Sequence, residues 1–233
     1  MNFFCTFSYP LNIVIPKSGN PTPYYCSAAY RLNSTENAAL KVVFEEVPDD
    51  GTNYYLKGNE GYMFMTDAET AKSLNVVNDT GDPHNGNVYI DNAQFLAGGI
   101  PPALPANSMK ANLKTTYVTS ENWANIYALG NVSSTTQVGS YHGTPVYGIG
   151  VGYDHVKIGG KLNPNTAYIP RNRFVAVDET STEWTSVKEI SESGIPAEIV
   201  FKDEFGNIVD QIEVLSDGTM QRTIDGPVYD LAG

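Results

Sequence analysis

Leu40-Lys41-Val42-Val43-Phe44-Glu45 is the stretch whose reading decides the fold. At a period of two, Leu40, Val42 and Phe44 share one face while Lys41 and Glu45 fall on the other, as in a half-buried strand. Tyr24-Tyr25-Cys26-Ser27-Ala28-Ala29-Tyr30 precedes it, with the turn formers Asn33-Ser34-Thr35-Glu36-Asn37 between, so the two segments read as a β-hairpin. Outward from this hairpin the pattern repeats at residues 53–57, 62–65, 87–91, 109–118, 125–129, 146–151, 155–158, 166–169 and 173–177. Gly, Pro, Asn and Asp punctuate these segments, and Gly58-Asn59-Glu60-Gly61 supplies the turn between two of them. Only residues 67–74 read as helix, with Thr66 or Asp67 as cap and Ala68, Ala71 and Leu74 on one face. One short helix among many strands predicts an all-β protein, an antiparallel β-sandwich of immunoglobulin-like or jelly-roll-like type.

Two stretches read as loops. Gly81-Asp82-Pro83-His84-Asn85-Gly86 has breakers at nearly every position, and the prolines of residues 98–105 remove the donors a central strand needs. Composition shifts after Trp184: residues 185–233 hold three basic and ten acidic residues, a net −7 of the chain's −12. Residues 197–202 and 207–215 alternate around Asp203-Glu204-Phe205-Gly206, which predicts a further hairpin continued by 219–224. The chain of 233 residues therefore divides into a β-sandwich module, 1–184, and an acidic β-hairpin tail or small C-terminal subdomain, 185–233. The boundary falls near 180–195.

Charge narrows the partners. Fourteen Lys and Arg against 26 Asp and Glu give a pI near 4.5, the wrong sign for a binder of nucleic-acid phosphate. No window approaches the roughly 20 apolar residues of a membrane-spanning helix. The N-terminus carries neither a basic leader nor a sustained apolar stretch, so it does not read as a signal peptide. The chain is then either intracellular or a piece that begins inside a longer secreted protein. Cys5 and Cys26 lie on neighbouring apolar segments; paired as a hairpin they would close a disulfide, and otherwise they are free thiols serving as small apolar residues. His84, His142 and His155 are scattered without zinc-ligand spacing.

The chemistry-bearing motifs are few. Ser140 and His142 stand two apart, so on a strand they point the same way without facing each other, and no nucleophile elbow surrounds them. Gly148-Ile149-Gly150-Val151-Gly152 has neither the helix nor the lysine of a phosphate loop, and its glycines read as strand bends or close packing. Asn78, Asp79, Asp82 and Asp91 bracket a glycine-rich loop and form a candidate calcium site, although their spacing is not that of an EF-hand and turn formation also accounts for them. The most polar and aromatic region holds Trp123, Tyr141, His142, Tyr147 and Tyr153, with Asn122 and Asp154 nearby. Such rings could form a platform for a glycan, or pack against a sheet.

The order of these segments resembles that of β-sandwich modules found toward the C-termini of Bacteroidetes surface and secreted proteins. The matching stretches begin with Cys5-Thr6-Phe7-Ser8-Tyr9-Pro10 and Leu11-Asn12-Ile13-Val14-Ile15-Pro16. They continue through Tyr54-Tyr55-Leu56-Lys57-Gly58 and Asn125-Ile126-Tyr127-Ala128-Leu129 to Gly160-Lys161-Leu162-Asn163-Pro164-Asn165-Thr166-Ala167-Tyr168-Ile169-Pro170. Coverage is roughly residues 3–170. The closing Val228-Tyr229-Asp230-Leu231-Ala232-Gly233 is similar to the start of the tail such proteins carry, where an arginine follows; here the chain stops at the glycine. The resemblance implies an extracellular or cell-surface module of structural or adhesive type, with no catalytic residues to carry over and its signal peptide lying outside this fragment. A carbohydrate-binding module is the alternative, an accessory domain of a glycan-active enzyme a more distant one, and a structural or adhesin protein in the virion of a phage infecting such bacteria shares the same architecture. The implied partners are proteins or glycans, with homo-oligomerisation or assembly through exposed sheet edges.

Overall fold

The computed structural model of the protein describes residues 3–10, 13–32, 40–66, 77–78, 88–89, 106–122, 125–141, 144–155, 158–178, 197–214 and 220–223. Its strands, in chain order, are β1 (Phe3–Ser8), β2 (Ile13–Pro16), β3 (Thr22–Leu32), β4 (Leu40–Glu46), β5 (Asn53–Leu56), β6 (Gly61–Thr66), β7 (Val77–Asn78), β8 (Val88–Tyr89) and β9 (Lys110–Asn112). They continue with β10 (Thr116–Tyr117), β11 (Ile126–Tyr141), β12 (Thr144–His155), β13 (Lys161–Leu162), β14 (Thr166–Pro170), β15 (Val175–Val177), β16 (Ala197–Lys202), β17 (Ile208–Val214) and β18 (Met220–Thr223). The protein is all-β, with a short 3-10 turn at Arg171–Arg173. The helix expected at 67–74, the loops at 81–86 and 98–105 and the boundary near 180–195 lie outside the described residues.

The expected hairpin is present as β3–β4, antiparallel from Tyr24↔Glu46 to Arg31↔Leu40 with one bulge between Cys26 and Ala28. It forms the middle of an eight-stranded sheet ordered β1-β6-β3-β4-β16-β17-β18, with β15 pairing the far end of β3. The tail hairpin forms as read: Asp203 Oδ1 accepts the N–H groups of Phe205 (2.9 Å) and Asn207 (2.8 Å), and Gly206 takes φ +82°, which closes the turn between β16 and β17. That hairpin continues the main sheet, because β16 lies parallel to β4 from Ala197↔Leu40 to Lys202↔Glu45. The pairs β15/β3 and β7/β8 are parallel too, so two of the sheets are mixed, while most of the strand pairs are antiparallel as the alternation indicates. Parallel pairing needs a long crossover, and here residues 47–196 separate β4 from β16.

Both faces of the central sheet are buried. On one, Tyr24, Val42, Phe44, Met63, Ile199 and Phe201 form a cluster with Met109, Tyr127, Ala167 and Ile169 of the sheet ordered β12-β11-β14-β9. On the other, Tyr25, Val47, Tyr62 and Phe64 pack with Ile13, Ile15, Tyr54 and Leu56 of the sheet ordered β5-β2-β8-β7. Alternation therefore sends Tyr24 and Tyr25, or Met63 and Phe64, into different cores. Phe201 lies 5.2 Å from both Phe44 and Tyr24, ring centre to ring centre, so the C-terminal hairpin is knitted into the first core. Beyond it, Lys41 and Glu198 pair at 3.1 Å across the parallel strands, and Gln211 donates to Glu198 at 2.7 Å.

Two strand readings change, and of the two readings of the cysteines the free thiols are the one observed. The run 109–118 is broken into β9 and β10, because Asn112 Nδ2 donates to the Asn163 carbonyl (2.6 Å) while its Oδ1 accepts from Thr116 Oγ1 (2.6 Å). Conversely, 146–151 lengthens into β12, which reaches His155 and pairs with β11 from Tyr127↔His155 to Tyr141↔Thr144 across two register shifts; of the run read at 155–158, residues 156–157 lie outside the described residues and Ile158 stands in a turn. Cys5 and Cys26 are unbridged, the first exposed and the second fully buried. Strand β6 intervenes: Cys5 and Pro23 face Phe64 from its two sides, about 9.5 Å apart by strand spacing, and Cys26 lies three residues farther along. Disulfides need Cα atoms within about 7 Å. Burial pushes the Cys26 thiol up to about 12.

The central sheet and its cover approach most closely at Gly61. A Cβ there would stand 2.6 Å from the Ala167 Cβ and 3.0 Å from that of Met109. Gly61→Ala is therefore expected to destabilise the fold by about 1–3 kcal/mol, read as a lower midpoint in urea, and Ala167→Gly in the same chain to restore part of it. An unchanged midpoint for the single variant contradicts this packing.

Candidate functional site

Beside that close approach the surface opens into a cleft of about 660 Å³. Three parts of the chain build it. The first is the turn before β6 together with the segment entering β9. Asn107 locks these to β3: its Oδ1 accepts from the N–H groups of Met109 (3.0 Å) and Cys26 (3.3 Å), and its Nδ2 donates to the Gly61 carbonyl at 2.7 Å. One amide thus satisfies three backbone groups that burial would otherwise leave unpaired. Asn59, held at φ 64°, lines the same wall.

The second part is the connection from β10 to β11. Asn122 accepts from the Thr119 N–H (2.8 Å) and donates to the Tyr117 carbonyl (3.0 Å), a side-chain-closed turn that sets Asn125 at the cleft. The third is β14 and the turn after it. Tyr168 pairs across the sheet with Lys110, and Pro170 with Ile126. The 3-10 turn then presents Asn172 and Arg173, anchored by buried Phe174, whose ring lies 4.8 Å from that of Tyr127.

The lining is polar and carries few ion pairs. Glu60 is its one acid, and that carboxylate already faces Lys57 at 3.9 Å and the Asn107 amide at 3.4 Å. Lys110 and Arg173, both exposed, make no ion pair among the described residues. The side-chain amides of Asn125 and Asn172 make no hydrogen bond to described residues and so face solvent as donor and acceptor together. Among the described residues Tyr168 is the only aromatic ring on the lining, half-buried and packed on Val118, Ile126, Ala128 and Leu162. Amides around one fixed ring can hold a hydroxyl-rich ligand: the ring covers its apolar face and the amides answer its hydroxyls.

The sequence had pointed elsewhere. Trp123 and His142 lie outside the described residues, as do Asp79, Asp82 and Asp91 of the candidate calcium set; Asn78 stands on β7, opposite Tyr89. Tyr141, Tyr147 and Tyr153 stand on the β11–β12 hairpin, opposite Thr144, Gln137 and Leu129. The nine steps from Thr144 to Tyr153 span roughly 30 Å of strand, so the pairing places Tyr141 and Tyr153 toward opposite ends of the hairpin. Asn122, noted beside them, does reach the cleft. Asn107, Lys110, Tyr168 and Arg173 went unread, since only the β9–β14 pairing joins segments about sixty residues apart. Gly148–Gly152 falls within β12, facing β11.

Among the described residues no group of three or more His, Cys, Asp or Glu side chains is placed to hold a metal ion, and no helix is long and apolar enough to cross a membrane. Comparison with family models, curated proteins and solved structures finds no match to the chain.

Asn107→Ala tests how the cleft is held. Removing an amide that serves three backbone groups is expected to lower stability by about 1–3 kcal/mol in denaturant unfolding. A variant as stable as the parent shows that the cleft wall does not hang on this side chain.

Proposed function

We propose that the chain is a non-enzymatic, adhesive β module of an extracellular or cell-surface protein, and that its work is to hold a carbohydrate in the cleft between β9, β14 and the β10–β11 connection. The observation that carries this reading is the lining itself, the amides of Asn125 and Asn172, unpartnered among the described residues, beside the ring of Tyr168 on β14. The resemblance to Bacteroidetes surface modules supports the setting, and a virion protein of a phage infecting such bacteria would use the same site in another context.

A structural spacer or assembly domain is the second reading. It is favoured by β1 and β18, which stand at the two ends of the central sheet, each paired on one side only among the described residues. Such edges accept strands from another chain.

A glycan array printed with neutral and acidic oligosaccharides separates the two. The adhesive reading predicts binding to a subset of glycans, weakened about tenfold or more by Tyr168→Ala or Asn172→Ala with the melting temperature of Asn172→Ala unchanged. Absence of binding on the whole array, with self-association in analytical ultracentrifugation, favours the assembly role.

A further inference from the structure

We infer that the cleft selects an anionic saccharide, a sugar carrying a carboxylate or a sulfate, and that Lys110 and Arg173 are its specificity-determining residues. This rests on the carbohydrate reading above and goes further by naming the ligand's charge.

The argument is one of charge placement. The chain carries 26 acidic against 14 basic residues, yet the described lining of the cleft reverses that balance, with Lys110 and Arg173 against Glu60. The described ion pairs engage Lys17, Lys41 and Lys57, each with a carboxylate. Lys110 and Arg173 make no such pair among the described residues, and both line the one cleft. Two of the four arginines of the chain, Arg171 and Arg173, belong to the turn at its rim. Glu60 does not cancel this charge, since Lys57 and the Asn107 amide already attend it.

Guanidinium and ammonium groups differ in what they recognise. A planar guanidinium matches the two oxygens of a carboxylate or sulfate, whereas an ammonium acts as a compact charge. Around them, Asn125 and Asn172 answer hydroxyls and Tyr168 supplies a ring face, so the remainder of the sugar is held without charge. The negative charge of the whole chain repels anions at long range, which makes the preference local. Binding then depends on these two side chains more than on steering.

Matched pairs test this with the full chain: sialyllactose against lactose, oligogalacturonate against galacto-oligosaccharide, and sulfated lactose against lactose, each titrated by calorimetry. The expected result is an acidic partner bound about tenfold more tightly than its neutral counterpart in roughly 20 mM salt, with the ratio shrinking in roughly 300 mM salt. The carboxylate and sulfate pairs show which anion the site takes. Lys110→Gln and Arg173→Gln should each collapse the ratio without changing the melting temperature, while Lys161→Gln, outside the cleft, leaves it intact. Equal binding of neutral and acidic partners, or a ratio untouched by both cleft variants, overturns the charge preference while the carbohydrate reading stands. Absence of binding to every sugar overturns both.

Discussion

A sheet that is apolar on both faces cannot stand alone in water, and every other part of this structure follows from covering it. Tyr24 and Tyr25 are adjacent in sequence, point to opposite faces and are both buried. Met63 and Phe64 repeat the pattern one strand over. Burying an aliphatic or aromatic side chain of this size contributes on the order of 1.5–3 kcal/mol, so leaving either face wet would forfeit several such contributions at once. The strands β9, β11 and β14 cover one face, and β2 and β5 the other. The C-terminal hairpin extends the same sheet past β4, where Ile199 and Phe201 continue the rows begun by Val42 and Phe44.

The cleft is a by-product of that covering. Where β14 and β9 pass over the start of β6, the two layers come so close that Gly61 has no room for a side chain. Just beyond, the backbone of β9 is tied down by Asn107 and the connection to β11 turns on Asn122, leaving a recess between them. Its walls are strand ends and side-chain-closed turns. Its chemistry is set by residues that the core does not need: Lys110, Asn125, Asn172 and Arg173 all point away from both apolar clusters. Covering a two-faced sheet and presenting a polar recess are thus one arrangement seen from inside and from outside.

Much of this was legible in the sequence wherever a signal is local. Leu40, Val42 and Phe44 do bury on one face, and Asp203-Glu204-Phe205-Gly206 does close a turn between two strands. Local pattern could not reveal that Ala197 stands beside Leu40, because the choice of a parallel partner is made by tertiary packing across residues 47–196. Nor could it reveal that Val43, on the same face as Lys41 and Glu45, is buried, since that depends on tertiary packing over that face. The disulfide alternative fails for a related reason: two apolar segments near in sequence are separated by a third strand from farther along. The recess was invisible in the same way, its amides being ordinary turn formers until β9 and β14 pair.

The central claim, that β4 and β16 belong to one cooperative core, is tested most directly by native-state hydrogen exchange read by mass spectrometry across rising urea. The amides of 40–46 and 197–202 should lose protection together, through the global unfolding of the chain. Exchange of 197–214 through a separate opening at lower urea, while 40–46 stays protected, would contradict the account.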